Sequence, residues 1–148
     1  RLGELKDVEL DYTQVTDAGL ERLADLKLNR LNIPDQVRTD LGLKHYLAAL
    51  ETQPPRLWSR FRPADTVLLL LPGWRITDAG MVHLKGLTNL QSLDLRKTKI
   101  TDAGLVHLKG LNKLQWLYLM GTKVTDAGVS DLKKSLPNCE ILKPIRPR

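Results

Sequence analysis

Thr-Asp-x-Gly occurs five times in this 148-residue chain, starting at Thr16, Thr39, Thr77, Thr101 and Thr125, at steps of 23, 38, 24 and 24 residues. No other property of the sequence constrains the fold as strongly. A unit of about 24 residues cannot bury an apolar face alone and must stack on its neighbours. Two copies run back to back, Ile76 to Lys99 and Ile100 to Lys123, and agree at seventeen of twenty-four positions. Before the first marker, Leu5–Val15 aligns column by column with Leu90–Ile100. The chain thus opens part-way through a unit, a partial first repeat over residues 1–15, and a preceding segment is expected.

Each unit joins two periodicities. In Thr101–Leu111 the threonine is a good helix N-cap and the aspartate sits where the helix dipole favours an anion. Leu105, Leu108 and Leu111 then recur every three residues, and Gly110 ends a helix of about two turns. In Leu114–Leu119 the leucines Leu117 and Leu119 alternate with Trp116 and Tyr118, the period of a strand with one buried face, before a turn at Gly121-Thr122. Stacking such units predicts helix on helix and strand beside strand, a curved α/β solenoid with a parallel sheet.

The TDAGLxxLxxLxxLxxLxLxxT pattern of these units resembles the leucine-rich repeat family, in particular bacterial members similar to the repeats of F-box-type recognition subunits. The resemblance covers nearly the whole chain, 1–148, as one domain of five to six repeats. It implies a right-handed β-α superhelix with its parallel sheet on the concave face and short helices on the convex face. It also implies a non-catalytic module that binds a protein partner. Some units depart from the pattern. The second is one residue short, and Gln36 and Trp74 stand in the column of Thr13, Thr98 and Thr122. A threonine there is expected to bond to backbone of the next turn, so the ladder is expected to be interrupted at those two units. The last unit drifts near Cys139 and reads as a terminal cap over about 125–148.

Four of the seven differences between the two matched copies fall together, at Ser92/Trp116, Asp94/Tyr118, Arg96/Met120 and Lys97/Gly121. Alternation sends these strand residues away from the core. The outer-helix pairs Val82-His83 and Val106-His107, with Lys85 and Lys109, have not diverged, so exposure alone does not account for the contrast. The concave face is therefore read as diversified for contact. The candidate partner-binding residues are Leu68, Leu70, Asp94, Arg96, Trp116, Tyr118 and Met120, types that dominate binding hot spots. Strands about 4.8 Å apart would place two apolar rows roughly 10 Å from each other with Asp94 and Arg96 between them. At the other end Asp7, Glu9 and Asp11 predict an acidic edge.

The third unit is 14 residues longer than those that follow, an insertion at about 51–65 between a helix over Leu43–Leu50 and a strand at Val67. Pro54-Pro55 cannot continue a helix. Arg56, Trp58, Arg60, Phe61 and Arg62 interleave cations with rings, a combination that suits a loop tucked on the solenoid with its arginines solvated, a loop that contacts the partner, or contact with phosphates and bases. The net charge of +6 gathers largely in a basic tail, Lys133, Lys134, Lys143, Arg146 and Arg148, of a kind that more often confers solubility than reads nucleic acid.

Signals for chemistry are weak. His45, His83 and His107 share one column but would stand about 8–10 Å apart, too far for one metal ion, and read as copied surface residues. The marker aspartates read as helix-start residues. There is no phosphate loop of GxxxxGK type, no CxxC pair and no serine on a glycine elbow. No catalytic residue, metal or cofactor is expected. The longest apolar run, Val67–Leu71, is too short to span a bilayer, and the single Cys139 demands no oxidising compartment, so a cytoplasmic setting fits. The leading expectation is a protein-binding module. Its rivals are an anion-binding module built on the insertion and tail, and the recognition arm of a larger enzyme.

Overall fold

The computed structural model describes residues 5–50 and 68–143. Along them strands of three residues alternate with short helices: β1 (Asp7–Glu9), α1 (Asp17–Glu21), β2 (Arg30–Asn32), α2 (Asp40–Ala49), β3 (Leu68–Leu70), β4 (Ser92–Asp94), α3 (Asp102–Leu105), β5 (Trp116–Tyr118), α4 (Asp126–Ser135) and β6 (Glu140–Leu142). Single 3-10 turns take helical positions at Asp35–Val37, Gly80–Leu84 and Val106–Leu108. Every strand pair is parallel, as units repeated in one direction require. The α/β solenoid expected from the spacing is therefore present. The register follows the sequence period, with Leu69 opposite Leu93, Leu93 opposite Leu117 and Leu117 opposite Ile141. The last strand keeps this step of 24, so the drift near Cys139 does not reach the ladder.

The central leucines Leu31, Leu69, Leu93 and Leu117 are buried with Leu20, Leu43, Leu84, Leu105 and Leu132 of the helical layer in one apolar cluster. Each such side chain contributes about 1.5–3 kcal/mol by leaving water.

A polar ladder runs beside this core and accounts for the Thr-Asp-x-Gly marker. Each threonine hydroxyl accepts from the first turn of its own unit: Thr39 from the Gly42 amide at 3.1 Å, Thr101 from the Ala103 amide at 3.3 Å and Thr125 from the Gly128 amide at 3.2 Å. The last three marker threonines also donate to the aspartate of the preceding unit. Thr77 gives its amide and hydroxyl to Asp40 at 2.8 and 2.6 Å, Thr101 to Asp78 at 2.7 and 2.6 Å, and Thr125 to Asp102 at 2.7 and 2.5 Å. The aspartates thus do more than favour a helix start. They bolt one unit to the next. Glycine is required two positions after each of these aspartates' equivalents in the following unit, because a Cβ on Gly80, Gly104 or Gly128 would run into the carboxylate of Asp40, Asp78 or Asp102.

The ladder lacks its rung where the second unit is one residue short: one carboxylate oxygen of Asp17 is buried with no hydrogen-bond partner. The sheet is broken one unit further on. β1 and β2 form one two-stranded sheet, β3 to β6 a four-stranded one, and β2 does not pair with β3. The interruption expected at Gln36 and Trp74 thus falls between the units that carry them. The detailed expectation for the threonine column is corrected: Thr13, Thr98 and Thr122 donate to Leu10, Leu95 and Leu119 carbonyls three residues earlier, each at 2.7 Å, closing their own turn instead of reaching the next. In their place Gln36 donates across to the Thr13 carbonyl at 2.7 Å, and Trp74 turns inward against Tyr46, ring centroids 5.3 Å apart and edge to face.

Candidate partner-binding face

The strand face is set out by the register. Leu68, Ser92 and Trp116 share one row, and Leu70, Asp94 and Tyr118 the next. Two of the seven candidate positions differ from a uniformly presented surface. Leu68 and Asp94 are buried, at 4% and 2% exposure, and Ser92 beside them is fully buried. Asp94 is covered for an electrostatic reason. Its carboxylate accepts the Arg96 amide at 3.0 Å and the Arg96 guanidinium at 2.9 Å from Nε and 2.6 Å from Nη2. It supports Arg96 from beneath and is not itself available to a partner. The Ser92 hydroxyl is buried without a hydrogen-bond partner.

The remaining candidates are presented. Leu70 is 39% exposed. Trp116, Tyr118, Arg96 and Met120 are half-buried and lie outside the leucine cluster. Arg96 is the centre of this group. Its guanidinium carbon lies 5.8 Å from the Tyr118 ring centroid, within the range of cation–π attraction. Hydrogen bonding to Asp94, with its charge, raises the Arg96 pKa further above its ordinary value. Together these contacts hold a long side chain in one place while 44% of its surface remains exposed.

Lys97/Gly121, the fourth clustered difference, has a backbone cause. Tyr12, Gly73, Lys97 and Gly121 all adopt left-handed φ, at 66°, 74°, 59° and 76°, in the turns that follow β1, β3, β4 and β5. Glycine takes this conformation freely and lysine does not. This pair is therefore no sign of diversification for contact.

The acidic edge is largely paired: Glu9 meets Arg30 at 2.8 Å and Asp11 lies 3.7 Å from Arg38. In the basic tail Lys143 meets Asp126 at 2.6 Å and Lys134 meets Asp131 at 3.5 Å. Arg146 and Arg148 lie outside the described residues, as do Arg56, Trp58, Arg60, Phe61 and Arg62. His45 is buried, not a surface copy, because its unit carries the longer helix α2. Burial, then the Lys44 cation, lowers the His83 pKa below its ordinary value. Among the described residues no three His, Cys, Asp or Glu side chains converge on a metal position, and no helix is long and apolar enough to cross a membrane. Sequence reasoning missed the hollow at the β2–β3 break, where Tyr46 and Trp74 meet. The only signal was Trp74 in a threonine column.

Residues 67–124 match the sequence profile of the Leucine rich repeat family. No curated protein matches the chain. Among solved structures it is similar to an internalin from Listeria monocytogenes, with 18% identity and a TM-score of 0.46 over 99% of this chain and 49% of that one. The chain spans about half the length of that internalin. The profile match falls on β3, β4 and β5 with the turns between them, and units of the same construction stand before and after it. Over residues 67–124 the chain is thus built of leucine-rich repeats.

Proposed function

We propose that this chain is a non-catalytic interaction module that binds a protein partner across its strand face, with Arg96, Trp116, Tyr118 and Met120 as the anchors and Leu70 at the margin. Buried Leu68 and Asp94 act from behind, Asp94 by fixing the arginine. The observation that carries this reading is the clamping of Arg96 between the Asp94 carboxylate and the Tyr118 ring. Tryptophan, tyrosine and arginine are the side chains that most often supply binding energy, and an arginine already held in place loses less rotamer freedom on association. Asp94 offsets its charge, so Nη1 is suited to a neutral acceptor such as a backbone carbonyl.

The test is affinity for a partner isolated with the intact chain, measured by calorimetry. Replacing Trp116 and Tyr118 together by alanine is expected to weaken binding by about 2–4 kcal/mol. Unchanged affinity would remove these residues from the interface. Raising salt from about 50 to 200 mM should alter the affinity little, whereas a polyanion contacted through many phosphates would lose about a thousandfold or more.

A further inference from the structure

Between β2 and β3 the layer of strands is open, and a hollow of about 290 Å³ passes through it to the helical layer. Leu31 and Asn32 line it from β2, Arg38 from the following turn, Leu70 from β3, and Tyr46 and Trp74 from behind. It cannot take an added strand, because the two units close together just beyond the turn, where the Arg75 amide donates to the Arg38 carbonyl at 2.8 Å. What enters must be a compact side chain.

The lining fixes the chemistry of that side chain. Trp74 and Leu70 offer apolar surface. Tyr46 is only 6% exposed, yet its hydroxyl is not among the buried side-chain oxygens left without a partner, and no hydrogen bond joins it to another described residue, as expected of a polar tip that opens on the hollow. Among the described residues that line it, the one cation, Arg38, stands beside the Asp11 carboxylate and is already committed. Its Nε donates to the Ile33 carbonyl at 2.9 Å, and its remaining nitrogens meet Asp35 at 2.5 Å and Asp11 at 3.7 Å. An anionic visitor therefore finds no uncompensated charge, and a neutral one with a polar tip finds a waiting hydroxyl. The mouth is continuous with the strand face, since Leu70 lies opposite Asp94 and Asp94 opposite Tyr118.

We infer that this hollow is an anchor pocket for a tyrosine side chain of the protein partner, the ring held between Trp74 and Leu70 and the phenol hydrogen-bonded by Tyr46. This rests on the protein-binding reading above. Its test uses the isolated chain without a partner, so failure here leaves the Arg96 cluster untouched, and failure of that cluster leaves this pocket standing. The probes are p-cresol, the tyrosine side-chain analogue, with toluene and benzoate as comparisons, followed by NMR of the Tyr46 ring and Trp74 indole. The expected result is saturable shifts with p-cresol at millimolar concentration, binding three- to tenfold weaker, about one hydrogen bond's worth, for toluene or in Tyr46→Phe. Leu70→Trp, at an exposed site, should fill the mouth and abolish the shifts. Absence of a saturable shift, equal binding of toluene, tighter binding of benzoate, or retention of the shifts in Leu70→Trp would each overturn the proposal.

Discussion

Two residues are held in states that solution measurements can read directly. Burial raises the Tyr46 pKa to about 12, with the Arg38 cation opposing the shift. In the unfolded chain the phenol ionises near its ordinary value of about 10, so the fold is favoured in full below that pH. Stability is then lost as pH rises from about 10 to about 12, by on the order of 2–3 kcal/mol. Absorbance of tyrosinate should show one late-titrating group that disappears in Tyr46→Phe, and denaturant melts at alkaline pH should show the loss. Lys97 occupies left-handed backbone at φ 59°, where its counterpart one unit later is glycine. Lys97→Gly is expected to raise stability by about 0.5–1 kcal/mol, and Gly121→Ala to lower it by about 1 kcal/mol, its new Cβ lying 3.3 Å from the Lys97 side chain. Equilibrium unfolding in urea measures both.

At the scale of the repeating element the ladder of aspartate and threonine is what distinguishes this stack from one held by leucines alone. Removing Asp78 leaves the Thr101 amide and hydroxyl without the acceptor they use at 2.7 and 2.6 Å, an expected loss of about 1–3 kcal/mol for Asp78→Ala. Gly104→Ala places a Cβ 2.5 Å from the same carboxylate and should destabilise by a similar amount. Because one carboxylate is responsible for both effects, the two substitutions are coupled. The double variant should be less destabilised than the sum by about 0.5–3 kcal/mol. Strict additivity in urea melts would mean that the aspartate and glycine do not interlock.

Over the whole molecule, the parallel stack was legible because the period fixes it: leucines at strand spacing and a threonine before each helix admit one arrangement. The presented side chains Trp116 and Tyr118 were legible by simple alternation. Asp94 was not, since alternation gives the direction of a Cβ but not whether a neighbour such as Arg96 will fold over it. The marker aspartates were read within their own helix, and their bond to the next unit depends on a contact 23 or 37 residues away along the chain. The pocket behind the strands was hidden for the same reason. It arises from a long third unit and a short second one acting together, and only Trp74 in place of threonine hinted at it.

In a stack where each unit is secured only by its neighbours, the missing β2–β3 pairing marks the seam of least resistance. Tension applied to the two termini would part the molecule there first, releasing the leading two-stranded portion while the trailing four strands stay folded. Such a chain would lengthen under load in two steps instead of one.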